Sequence, residues 1–393
     1  MKVRFKRLAI ALSLMALGAG NAIAAQYSTG ANDTAIKIGN TVPYTGPASV
    51  YGQIGKIETL FFKMINDRGG VNGRKIEFLS SDDAYNPANT VKAVRRLVDQ
   101  DHVFLMFSQV GTIQNLSVQG YLNREKIPQL LALSGDSKLN DPKNFPYTFP
   151  GTQSYYKEGE FYAKLILRQH SNEKIAVLYQ NDDYGKDMLN GLMHGLGNQS
   201  KLVSTQSYEV SSPTVDSQMI NLQHSGATVF VNIATPRAAA QAIQKIADLN
   251  WKPVQYLNLA STSRKLLASL GEDKTKGIQG LTIFKDPANP AFENDQDVKD
   301  YLVFMTKYAP DADPSDFFNQ VGYAEGQALI AILQKAGDNL TRDNIKNIAA
   351  NIDISVPLLL GKFHTTPTDY SPIALYQLAT FDGHHWKLTG TAN

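Results

Sequence analysis

The chain has no cysteine in 393 residues. That removes disulfides, a thiol nucleophile and a lipid carried on a cysteine from consideration. Charge of one sign is also scarce: 38 basic residues face 36 acidic ones, a net +2. Four of the cations, Lys2, Arg4, Lys6 and Arg7, sit in the first 25 residues, and without them the balance is −2. Such a chain carries no basic field for nucleic acid and no patch for an anionic membrane. Long apolar runs are missing too. The longest, LAIALSLMALG, falls short of the ~20 residues that span a bilayer. Catalytic and metal signatures are absent: the seven histidines form no HExxH pattern and no ligand spacing, and neither a G-x-S-x-G elbow nor a G-x-x-x-x-G-K-[ST] loop occurs. No metal and no cofactor are expected. His384 and His385 fall in a turn and read as solvated.

What is present begins with an export pattern. A basic head, the short apolar run and the small residues Ala22-Ile23-Ala24 read as a secretory signal over residues 1–25, cleaved in the Ala24/Ala25 region. With no lipid-bearing cysteine and no later membrane span, the expected location is the periplasm. The remaining 368 residues are enough for two domains with cores of their own, which need no disulfides.

Along those residues strand and helix patterns alternate. AIKIGNTV (35–42), KIEFLSSDD, VFLMF and IPQLLAL (127–133) are strands separated by helical patterns, one of them starting near Gly55. After YTFPG (147–151) the pattern restarts: a helix at 155–169, strand KIAVLYQ (174–180), then KLVSTQSYE, TVFVNIA (228–234) and PVQYLNL (253–259), with a helix at 236–249 between the last two. Helices near 295–309 and 316–336 follow, and SPIALYQLATFDGHHWKLTG ends the chain as a β-hairpin turning at Asp382-Gly383. This βαβα order predicts α/β lobes with doubly wound parallel sheets.

In such sheets ligands lie beyond the carboxyl ends of strands, at helix starts. The strand VFLMF ends in Ser108-Gln109-Val110-Gly111-Thr112, just before a helix. That turn either receives an anion on backbone N–H groups or is a capped turn in which Thr112 satisfies its own helix. LALSGDSK repeats the arrangement with Ser134 and Gly135. The N–H groups of residues 110–112 and 134–135 are therefore the expected anion seat. The adjacent aspartates in SDDAYNP and QNDDYGKD read as capping and turn carboxylates. Tyr51 and Tyr184, each followed by glycine, stand in polar loops at strand exits; each is either a half-buried tyrosine or one half of a pair facing across a cleft.

The segments IKIGNTVPYTGPASVYGQIGKIETLFFKMINDRGGVNGRKIEFLSSDDAYNP, SQVGT and IAVLYQNDDYGKD resemble the type I periplasmic solute-binding proteins of leucine/isoleucine/valine ABC importers. The likeness covers essentially the whole chain after the signal. It implies two lobes joined by a hinge of three crossings, with lobe 1 at 26–150 plus 283–354 and lobe 2 at 151–282 plus 355–393. It further implies a small-molecule ligand in the cleft, an inner-membrane ABC permease as partner, a monomer and no enzymatic activity. Carried over residue by residue, the ligand positions are Tyr51, the carboxylate turn Gln109-Val110-Gly111-Thr112, its neighbour Leu133-Ser134-Gly135, Tyr184, Ala234, Leu259 and Phe318. The departures are informative. Ala234 replaces a tyrosine, and Leu259 replaces the acidic residue that meets a ligand's ammonium group. No Asp or Glu lies between Leu249 and Gly271, whereas Asn258, Ser261 and Thr262 could hydrogen-bond a hydroxyl. The resemblance thus leans to the branch taking up aromatic or other hydrophobic carboxylates. An amino acid or amide binder, a ligand-sensing module for a membrane receptor, and a secreted hydrolase with a dispersed site are the alternatives.

Overall fold

The computed structural model describes residues 26–392; the expected signal, residues 1–25, lies outside them. A short β1 (Gln26–Tyr27) precedes β2 (Ala35–Val42), α1 (Gly52–Asp67), β3 (Lys75–Asp82) and α2 (Pro87–Asp99). Then come β4 (Leu105–Phe107), α3 (Thr112–Arg124), β5 (Gln129–Ala132) and β6 (Thr148–Pro150). Their five-stranded sheet has the order β3-β2-β4-β5-β6, every pair parallel. Apolar residues at helical spacing put Val94, Leu97, Val118 and Leu122 of α2 and α3 against one face of this sheet. On the other face α1 contributes Ile57, Phe61 and Phe62 to the main core, so the strands are buried on both sides.

The second sheet follows α4 (Tyr155–Gln169). β7 (Ile175–Gln180), α5 (Asp183–Leu196), β8 (Leu202–Tyr208), α6 (Asp216–His224), β9 (Val229–Ile233), α7 (Pro236–Asp248) and β10 (Val254–Leu257) alternate. Short helices α8 (Arg264–Leu270) and α9 (Glu272–Thr275) lead into β11 (Gln279–Thr282). α10 (Gln296–Tyr308) and α11 (Phe317–Ala336) then return to pack on α1. β12 (Asn339–Leu340) pairs with β1, and α12 (Arg342–Ala349) precedes an antiparallel pair, β13 (Asp353–Ser355) and β14 (Lys362–His364). The closing hairpin, β15 (Tyr376–Phe381) and β16 (Trp386–Ala392), adds to β11.

The second sheet has seven strands in the order β16-β15-β11-β10-β9-β7-β8. It is parallel from β8 to β11, but the two hairpin strands run antiparallel. A short turn can only reverse a strand, whereas a parallel neighbour needs a crossover. Asp382 takes the N–H groups of His384 and His385 on Oδ1 in that turn. The chain passes between the sheets after β6, after β11 and again before β15. The last two passages touch where Phe284 bridges Leu359.

Candidate functional site

The ends of β2, β4 and β5 and the start of α3 form one side of the site. The ladder does not stop at the strand ends. Val110 donates its N–H to Thr41 (3.1 Å), Gly111 donates to the Leu133 carbonyl (3.3 Å), and Ser134 donates to Ala132 (2.7 Å). Val110 and Leu133 form a further parallel bridge. Three of the five N–H groups expected to seat an anion are thus spent inside the lobe, because pairing continues into the turns. The Tyr155 hydroxyl approaches the fifth, that of Gly135. What remains is the first turn of α3, which starts at Thr112 with no side-chain cap and so leaves helical N–H groups open. Thr112 does not cap its helix; its hydroxyl pairs with that of Ser134 at 2.8 Å. The anion-capable surface is therefore this hydroxyl pair and the α3 start.

Other expected residues sit behind the site. Gln109 is buried; its Nε2 donates to the Thr41 hydroxyl (3.0 Å), and its carbonyl accepts from Leu133 and Asn115. The Ala234 carbonyl accepts from Asn258 Nδ2 (2.8 Å) and from Ser261 Oγ (2.6 Å), and Thr262 Oγ1 donates to the Leu259 carbonyl (2.8 Å). The donors of Asn258, Ser261 and Thr262 are consequently committed to backbone, so what they leave for a ligand hydroxyl is acceptors, among them Asn258 Oδ1, which has no partner among the described residues. A Cβ on Gly111, whose φ is +106°, would meet Gln114 Oε1 at 2.2 Å. Glycine is required there by the turn itself, not by the approach of a ligand.

Tyr51, on the short helical turn before α1, and Tyr184, on the first turn of α5, line one cavity of ≈ 60 Å³ together with Gly111, Thr112 and Leu133. The glycine after Tyr184 has a local reason: a Cβ on Gly185 would stand 2.1 Å from the Gln180 carbonyl. Tyr184 is buried, and its hydroxyl has no hydrogen-bond partner among the described residues. Tyr51 packs edge-on against Phe318 at 5.3 Å between ring centroids. Leu133, Tyr155 and Ala260 are shared with a second cavity of ≈ 70 Å³, whose wall includes Leu259, Phe317 and Phe318.

Several wall residues were not picked out from sequence. Tyr85 stacks on Tyr51 at 6.3 Å with φ +57°, a left-handed backbone that few non-glycine residues adopt. Asp83 Oδ1 accepts its N–H (2.9 Å) and Gln114 donates to its carbonyl (2.9 Å). Tyr155 meets Tyr184 edge-on at 4.9 Å. Thr235 and Ala260 complete the wall. More consequential is Glu158 on α4, which lines neither cavity but holds two wall residues of the second. The Leu259 N–H donates to its Oε1 (2.7 Å), and Gln153 Nε2 donates to its Oε2 (2.9 Å). Burial pushes its carboxyl up to about 7. A carboxyl does stand at the Leu259 strand end, supplied by an element 101 residues away in sequence. No local pattern could have signalled it. Of the aspartates expected as capping and turn carboxylates, Asp182 caps α5, accepting from the Gly185 N–H at 3.1 Å, whereas Asp82 holds loops, its Oδ1 accepting from the Tyr44 N–H at 2.9 Å.

Residues 35–385 match the family described as periplasmic binding protein. A Leu/Ile/Val-binding protein homolog of Brucella abortus is 25% identical over 340 residues, covering 82% of this chain and 85% of its own. A leucine-, isoleucine-, valine-, threonine- and alanine-binding protein of Pseudomonas aeruginosa is 22% identical, covering 80% of this chain and 81% of its own. Among solved structures, a Thermus thermophilus branched-chain amino acid ABC transporter protein with bound valine superimposes with a TM-score of 0.83 at 17% identity, over 92% of this chain and 97% of that one. A fatty acid ABC transporter substrate-binding protein of Thermomonospora curvata gives 0.80 at 19% identity, over 94% and 95%. The chain belongs to the periplasmic binding proteins, a family of substrate-binding transport proteins, and has their type I fold.

Proposed function

We propose that the protein captures a small carboxylate with an apolar, aromatic body between two lobes in the periplasm and delivers it to an ABC permease of the inner membrane. The observation carrying this reading is the buried, unpartnered Tyr184 hydroxyl on the same cavity as Tyr51 and the open first turn of α3. A carboxylate beside the Thr112 and Ser134 hydroxyls would meet donors and a positive helix end, and the ring would lie along Phe318 and Leu259. Both cavities are smaller than the ~150 Å³ void known to admit benzene, so a ring enters only when the lobes stand further apart. In this reading lobe 1 comprises 26–150 plus 283–354 and lobe 2 comprises 151–282 plus 355–393. The packing of α10 and α11 on α1 supports that division. The protein acts as an exported monomer, and the ligand is released unchanged.

A second reading, an amino acid ligand, is favoured by one observation. Glu158, beside Leu259, could receive an ammonium group and ionise on doing so. The two similar folds named above, one holding valine and one named for fatty acid transport, leave ligand class to the site. A thermal-shift panel of benzoate, 3-phenylpropanoate, their 4-hydroxy forms, leucine and phenylalanine separates the readings, since a ligand of the folded state raises Tm. Stabilisation by an aromatic acid and by neither amino acid is expected. Stabilisation by leucine or phenylalanine alone transfers the function to the second reading.

A further inference from the structure

α11 lines the second cavity with Phe318, Val321, Ala324 and Glu325, positions that share one helical face. Phe318 touches Tyr51 at the cleft end. Glu325, seven residues on, stands about 10 Å further along the axis. It is only 4% exposed, and its Oε2 has no hydrogen-bond partner among the described residues. The other polar side chains of this wall are engaged: Thr152 donates to Gln153, and Gln153 donates to Glu158. Glu58 stands near Glu325 across the α1–α11 contact, and both Glu58 oxygens are likewise buried and unpartnered among the described residues. Burial holds both carboxyls well above the usual carboxylate range. A protonated carboxyl can donate one hydrogen bond and accept another. Leaving such a group unpaired in an apolar wall is unfavourable, and nothing in the packing of α11 uses it.

We propose that Glu325 determines specificity at the α11 wall of the ligand cavity, hydrogen-bonding a hydroxyl at the end of the ligand's apolar body remote from its carboxylate. This rests on the carboxylate reading above and narrows it to hydroxylated aromatic acids. A site built to pair a ligand hydroxyl rejects the analogue lacking it, because its own polar group is then left unpaired.

Titration calorimetry with 3-(4-hydroxyphenyl)propanoate against 3-phenylpropanoate, and 4-hydroxybenzoate against benzoate, tests it. The wild type is expected to prefer the hydroxylated member of at least one pair about tenfold or more. Glu325→Gln, which keeps both hydrogen-bonding capacities, retains most of that preference, and Glu325→Leu brings the ratio to near one. Equal binding within both pairs overturns the assignment while leaving the carboxylate reading standing, and requires no variant. A preference that survives Glu325→Leu, in a variant with wild-type circular dichroism, overturns it as well. If no acid of either pair binds, the carboxylate reading fails first and this assignment falls with it.

Discussion

Tyr184 carries a hydroxyl that the folded protein buries without pairing. Removing it should relieve the apo protein and penalise the complex. Tyr184→Phe is expected to leave Tm unchanged or slightly raised while weakening ligand by ~0.5–1.5 kcal/mol, the net worth of one hydrogen bond. Equal affinity in calorimetry would show that the hydroxyl does not face ligand. Truncating the ring is harsher. Tyr51→Ala and Tyr184→Ala should each cost binding ~1 kcal/mol or more beyond lost area, with the apo fold intact, and unchanged affinity in both would remove the shared site. The carboxylate seat is better tested at Thr112 than at Gly111. A side chain at Gly111 strikes Gln114 and Tyr85 before any ligand arrives. Thr112→Val deletes one hydroxyl of the Thr112–Ser134 pair at nearly constant volume. Weaker binding of carboxylates, with no change for an uncharged analogue, is the expected outcome.

At the scale of elements, α5 meets the turn after β5 across the cleft. Ser137 donates both its N–H and its hydroxyl to Asp187 Oδ2, each at 3.1 Å, and Lys138 pairs with Asp183 at 2.6 Å. The exposed lysine pair is worth little; Ser137 places two donors on one Asp187 oxygen, and hydrogen bonds to a charged acceptor tie the two elements more firmly. Contacts present only in the closed arrangement bias the equilibrium toward it. Asp187→Ala is therefore expected to enlarge the radius of gyration of the ligand-free protein in small-angle scattering and to speed ligand dissociation. Identical scattering and release would mean that this contact does not hold the lobes. The elements themselves were largely legible. The helix expected at 155–169 forms over those residues, because its apolar spacing and the Ser154 cap are local features. α1 begins at Gly52, three residues before its expected start.

For the molecule as a whole, two carboxyls besides Glu58 and Glu325 lie far above their ordinary values: Glu158 and Asp136, each pushed up to about 7 by burial. The folded state binds these protons more tightly than the unfolded chain. Linkage then makes stability fall as pH rises from about 4 toward 7 through these two groups. Carboxylates held low, such as Asp295 beside Lys285, act oppositely, and their contribution disappears only on further acidification. Glu158→Gln should flatten the decline in Tm between pH 4.5 and 7.5 relative to wild type. Parallel curves would place the buried proton elsewhere.

Sequence alone determined the order of strands and helices, the α/β class and the strand exits where a ligand could lie, because periodicity, caps and turn residues act over a few positions. Tyr51 and Tyr184 were legible for that reason. Tertiary structure alone decided how the exits are used. It extended the pairing of β4 with β2 and with β5 into the turns and so consumed the Val110 and Gly111 N–H groups. It turned the last hairpin antiparallel onto β11, brought Glu158 to Leu259, and set Glu325 on the wall of the cavity beyond Phe318. Each of these depends on which faces of distant elements pack together, and a carboxyl's partner or solitude is set by that packing, not by its neighbours in the chain.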